Sequence, residues 1–81
     1  MVAGTMTIIY DHEEKGLDDS LTNIQHLHRD VISSTMHIHL DERNCLLVTA
    51  LRGEVRTIQN LAKELMSEKG IKQLKLVAVM S

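Results

Sequence analysis

The sequence contains no proline, phenylalanine or tryptophan, a single tyrosine (Tyr10) and a single cysteine (Cys45). One thiol excludes an intrachain disulfide, and the scarcity of aromatic rings removes the stacking platform used by single-stranded nucleic-acid binders. The longest apolar run, Leu76 to Met80, is far too short to cross a bilayer, so no membrane partner is expected. Met1 to Thr7 lacks the basic start and long apolar stretch of a secretory signal. A lone thiol without such a signal fits a reducing, cytoplasmic setting, in which cysteine serves as a ligand or nucleophile rather than half of a bridge. An excess of positive charge is missing too. Nine Lys and Arg against eleven Asp and Glu give a net charge of −2, with no basic cluster to supply the phosphate neutralisation that dominates DNA affinity. Internal repeats and low-complexity tracts are also absent, so residues 1–81 read as one domain.

What is present is an aliphatic chain, 43% hydrophobic over 81 residues. A domain of this size buries only roughly 60% of the surface its unfolded chain exposes, so association, a metal or tight packing is expected as a staple. Thr5 to Tyr10 is a β-branched run that reads as a strand. Leu17, Leu21, Ile24 and then Leu27 or His28 recur at helical spacing, with Asp18 and Asp19 placed to favour the helix dipole. Val31 to Leu40 alternates with period two, Asp41 to Asn44 is a polar hairpin connection, and Cys45 to Leu51 is the returning strand. Val55, Ile58, Leu61, Ala62 and Leu65 repeat as a second helix, Gly70 suits a left-handed cap, and Leu74 to Met80 is the last strand. Met6, Met36, Met66 and Met80 read as core filler.

Strand, helix, strand, strand, helix, strand predicts an α+β, ferredoxin-like βαββαβ sandwich with both helices on one face of an antiparallel sheet. The other face then needs cover from a second subunit. Reading the alternation through puts Leu47, Leu51, Val77 and Val79 on that open face, together with Cys45.

Five histidines occur, and His26, His28, His37 and His39 fall within fourteen consecutive positions. His37 and His39 leave the same face of a strand about 6.8 Å apart at the α-carbons, within reach of one ion. Alone, such a pair is ordinary solvated surface. Cys45 changes this, because it lies across the hairpin and joins the pair if it is in register with His39. Two imidazoles and a thiolate suit Ni(II), Cu(II), Co(II) or Zn(II) and not Mg(II) or Ca(II); His26 and His28 are candidates for a fourth ligand.

The spacing of His26, His37-Ile38-His39 and Cys45 resembles the metal-binding signature of the nickel-responsive transcriptional regulator family, NikR. Tyr10-Asp11-His12-Glu13, Gln25-His26, Leu51-Arg52-Gly53 and Lys69-Gly70-Ile71 extend the resemblance over nearly the whole chain. It implies an ACT-like fold and a planar Ni(II) site formed by His37, His39 and Cys45 of one subunit with His26 of another. It also implies a homo-tetramer, a dimer of dimers, that senses nickel for a repressor of nickel uptake. Tyr10 and Gln25 are then expected around the ligands, His28 at the helix end or around the ligands, and His12 in a loop at the surface or an interface, with auxiliary metal binding left open. Family members often carry Glu two residues after the cysteine, where this chain has Leu47. The family's N-terminal ribbon-helix-helix DNA-binding domain is not expected within residues 1–81, so DNA contact belongs to that domain. The competing reading is a metal-independent ACT-like module for a small molecule such as an amino acid. A metallochaperone lacks its Cys-x-x-Cys pair, and an enzyme lacks a third group beside Cys45 and its histidines.

Overall fold

The computed structural model describes residues 1–80, the side chain of Met80 excepted. Its elements are β1 (Val2–Asp11), α1 (Leu17–Leu27), β2 (Ile32–His39), β3 (Asn44–Gly53), α2 (Val55–Met66) and β4 (Ile71–Met80). The strands form one sheet in the order β2-β3-β1-β4, with every neighbouring pair antiparallel. This is the expected βαββαβ order.

Local chemistry places the helices. Gly16, at φ 80°, turns the chain into α1, where Asp18 and Asp19 occupy the first turn and Leu17, Leu21 and Ile24 form the buried stripe. Ile58, Leu61 and Leu65 do the same for α2. Gly70, at φ 98°, makes the exit toward β4. A side chain there would also strike Glu14 and Leu17, with a Cβ 2.8 Å from atoms of each.

β1 decides which face of the sheet the helices cover. Its even positions, Val2, Met6, Ile8 and Tyr10, are buried, while its odd positions include Thr5 and Thr7. The antiparallel register pairs Ile8 with Leu47 and Tyr10 with Cys45, which carries both β3 residues to the helix side. The sequence reading of β3 is therefore inverted. Cys45, Leu47 and Leu51 are only 0%, 5% and 3% exposed and belong to the core, whereas Leu46, Val48 and Ala50 face away from the helices, half-buried. Burying a leucine stabilises by roughly 1.5–3 kcal/mol, but β3 is apolar at both parities, so its own alternation cannot choose a side. Its neighbour chooses. On the open face Val77 and Val79 are 52% and 60% exposed, and Met36 and Ile38 of β2 are exposed as well. Of the methionines read as filler, Met6 is core while Met36 and Met66 are exposed; the side chain of Met80 lies outside the described residues.

The core cluster joins β1 and β3 to the two helices. β2 contributes little to it: Ile32 is half-buried and the strand is exposed from Ser33 to His39. The sheet thus has one edge that the helices leave open, and this edge carries the histidine pair.

Candidate metal centre

The β2–β3 ladder pairs His39 with Cys45 and His37 with Leu47, so both imidazoles and the thiol share a face. Cys45 Sγ lies 3.3 Å from His39 Nδ1, and the rings of His37 and His39 are 5.1 Å apart. With metal–nitrogen and metal–sulfur bonds near 2.0 and 2.3 Å, two donors on one ion stand about 3.0 Å apart in a square plane and about 3.5 Å apart in a tetrahedron. The Cys45–His39 pair already falls in that interval. A mixed nitrogen and sulfur set of this kind fits a late first-row ion. Cys45 is fully buried while His39 is exposed, so an ion reaches the thiol from the imidazole side.

Tyr10 stands behind the histidines. Its hydroxyl lies 2.9 Å from His37 Nε2 and 3.2 Å from Asp18 Oδ1, and its ring stacks on that of His37 with centroids 6.0 Å apart. Burial raises the pKa of the phenol above its usual value, and the neighbouring Asp18 carboxylate and Cys45 push it further in the same direction. Tyr10 is therefore a hydroxyl group at any physiological pH. Between α1 and the strands lies a cavity of about 360 Å³, whose lining includes Tyr10, Asp18, Gln25, His37 and Leu47.

His12 was not expected at this centre. Its backbone N–H donates to the Arg43 carbonyl, and the Arg43 guanidinium is 2.9 Å from Asp11 Oδ2, so the β2–β3 hairpin clamps the loop after β1. This brings the His12 ring edge-on to His39 at 5.1 Å. His12, His39 and Cys45 then present three donor atoms all within 4.8 Å of one another. Periodicity gives no sign of this, because the clamp joins residues some thirty positions apart.

The remaining expected residues are placed as follows. Gln25 is half-buried and lines the cavity beside His37. His26 sits exposed in the last turn of α1 and, among the described residues, belongs to no group of three donors in its own chain. His28 has the helix-end place, as the C-cap of α1, with its Nε2 3.0 Å from Glu64 Oε1 on α2 and not at the ligands.

Residues 3–79 match the family profile described as NikR C terminal nickel binding domain. A "Putative nickel-responsive regulator" of Geobacter sulfurreducens is 47% identical over 74 residues, 91% of this chain and 53% of that protein. A protein of the same description from Methanothrix thermoacetophila is 48% identical over 90% of this chain and 52% of its own length. The chain thus spans about half the length of these curated relatives. Among solved structures, an uncharacterized protein of Thermotoga maritima superposes with a TM-score of 0.86 at 16% identity, covering 98% of this chain and 99% of that one. The ACT domain of the Chlorobium tepidum GTP pyrophosphokinase gives 0.71 at 12% identity, with 93% and 96% covered. At these identities the two structures speak for the fold alone, which is ACT-like. The profile match, running almost from end to end, and the close identity to the curated relatives place this chain in the NikR C-terminal nickel-binding domain family.

Proposed function

We propose that this domain senses Ni(II) for a transcriptional regulator by holding the ion between two subunits, with His37, His39 and Cys45 from one and His26 from the other. The observation that carries the reading is the 3.3 Å approach of Cys45 Sγ to His39 Nδ1 across the ladder, with His37 on the same face. The role is regulatory and not enzymatic, as befits the family. With these imidazole and thiolate donors, Ni(II) would be held by His37, His39, Cys45 and a partner's His26 and would serve as a template for the assembly.

Cys45 and His39 hold one hydrogen bond between them before the ion arrives, and binding releases that proton, so affinity falls as pH drops. His26 is exposed at the far end of α1 and outside its own chain's donor group, which leaves it available to a second copy. A dimer of dimers uses two interfaces: the open face, with Met36, Ile38, Val77 and Val79 exposed, is one, and the helix side of the β2 edge, where His26 of a second copy would meet the donors, is the other. A ligand shared between chains ties occupancy to one arrangement of that tetramer, a population shift that requires different affinities in the two states. DNA contact and repression of nickel uptake belong to the part of the regulator beyond this domain, whose own charge of −2 does not favour DNA. No helix among the described residues is long and apolar enough to cross a membrane, and a cytoplasmic site of action fits a regulator of transcription.

Calorimetric titration tests the reading. One Ni(II) per chain is expected, with a planar thiolate charge-transfer spectrum that Cys45→Ala abolishes; a variant that keeps both stoichiometry and spectrum sinks it. The cavity beside Tyr10 and Gln25 gives a small-molecule reading its one foothold. Stabilisation by free amino acids in the absence of any response to metal is the outcome that selects it.

A further inference from the structure

Asp18 lies at a junction that a first-turn acidic residue does not need to occupy. Its Oδ1 faces the Tyr10 hydroxyl at 3.2 Å and its Oδ2 faces His12 Nδ1 at 3.6 Å. Each of these partners touches a different histidine of the β2 pair: Tyr10 Oη is 2.9 Å from His37 Nε2, and the His12 ring meets that of His39. Asp19, its neighbour in the same helical turn, serves the helix dipole equally well and makes neither contact.

The hydrogen-bond arithmetic around Tyr10 has one solution. A carboxylate accepts and does not donate, whereas a tyrosine hydroxyl has one proton to give and lone pairs to receive. If Tyr10 gives its proton to Asp18, the only group left to donate between Tyr10 and His37 is the Nε2–H of the imidazole. His37 is thereby held in the tautomer protonated at Nε2, and its Nδ1 keeps the free lone pair. Without Asp18 the hydroxyl is free to donate to Nε2 instead, and the ring proton moves to Nδ1, the nitrogen otherwise available to an ion.

We infer that Asp18 is a positioning residue for nickel, acting through Tyr10 to set the tautomer of His37. The inference rests on the proposed role of His37 as a ligand. The partners of a ligating imidazole's other nitrogen commonly change metal affinity by roughly 10–100-fold. It also gives α1 a part in the site, since Asp18 stands in its first turn and His26 in its last. The two are about 12 Å apart along the helix axis.

The test is ¹⁵N NMR of the imidazoles in the metal-free protein, paired with Ni(II) titration. Wild type is expected to show His37 protonated at Nε2. Asp18→Ala should move that proton to Nδ1 and weaken Ni(II) binding at least tenfold, while Asp18→Asn, which still offers Tyr10 an acceptor, should restore the wild-type tautomer and most of the affinity. Asp19→Ala, which removes only the dipole contribution, should leave both unchanged. Should Asp18→Ala fail to fold, Tyr10→Phe is read in its place and should release the Nε2–H preference. A His37 protonated at Nδ1 in wild type overturns the inference, as does a tautomer indifferent to Asp18→Ala or to Tyr10→Phe. These readouts need no metal, so they are distinct from a failure of the nickel reading, which shows as wild-type protein that does not bind Ni(II) through Cys45.

Discussion

Sharing a site between chains has a quantitative signature in mixed oligomers. Consider two variants, His26→Ala and Cys45→Ala, each prepared alone and then refolded together in equal amounts. In the first, every chain keeps His37, His39 and Cys45 but no chain offers the fourth donor; in the second, every chain offers His26 but the three-donor cluster has lost its thiol. Neither forms a complete site alone. In a symmetric pair each chain gives one cluster and one His26, so a mixed pair assembles one complete site and one doubly defective one. Random pairing makes half of all pairs mixed, so about one site in four should regain the wild-type thiolate charge-transfer band and affinity. The structure favours this outcome because His26 lies exposed on α1, apart from the donor group formed by its own chain. The assay is absorption-monitored Ni(II) titration of the separate and mixed proteins. Refutation takes either of two forms: His26→Ala alone retaining the wild-type band and affinity, or no recovery on mixing when sedimentation shows that mixed oligomers have formed.

Two further outcomes follow from the fold. Gly4→Ala would place a Cβ 2.2 Å from the Val77 carbonyl oxygen and 2.9 Å from Ala78 Cα, forcing β1 and β4 apart. An overpacking cost of roughly 1–3 kcal/mol corresponds to a melting temperature lower by about 5–20 °C for a domain of this size, and calorimetric melting within a degree of wild type would contradict it. The clamp that holds the His12 loop should respond to acid: the hydrogen bond from Arg43 keeps Asp11 below its ordinary pKa of 3.8, with the Glu13 backbone N–H assisting. Because the folded-state value is depressed, the contact contributes above pH 3.8 and is lost as pH falls through that lower value. A ¹³C titration of the Asp11 carboxyl should show a midpoint under 3.8 that rises toward it in Arg43→Ala; identical midpoints in the two proteins would refute the clamp.

Much of this architecture is legible in the sequence, for reasons that also explain what is not. The switches between helical and alternating periodicity mark all six elements, and the structure shifts their ends by only a few residues, as where β1 extends to Val2–Asp11 and β4 begins at Ile71. The donor cluster requires His39 to pair with Cys45, and the ladder meets that requirement. The facing of β3 was not legible, since Cys45-Leu46-Leu47-Val48 is apolar at consecutive positions and only the register with β1 breaks the tie. His12 was hidden for a different reason. Its approach to His39 depends on Arg43 crossing from the hairpin to Asp11, a long-range contact with no periodic trace. The part played by Asp18 was concealed by its equivalence to Asp19 as a helix-start acid, which hydrogen-bond geometry alone resolves.

The inverted facing of β3 bears on what an ion would do mechanically. β2, which carries His37 and His39, has β3 as its one neighbour in the sheet and is exposed along most of its length, whereas Cys45 is rooted in the core. Strands with one ladder and little burial open at low cost in free energy. An ion gripping both His39 and Cys45 would therefore act as a rivet through the selvedge of the sheet, fastening an exposed edge thread to a buried one. Nickel would be felt first as a stiffening of this single strand, and the backbone edge of β2 would change from a frayed margin into a firm border.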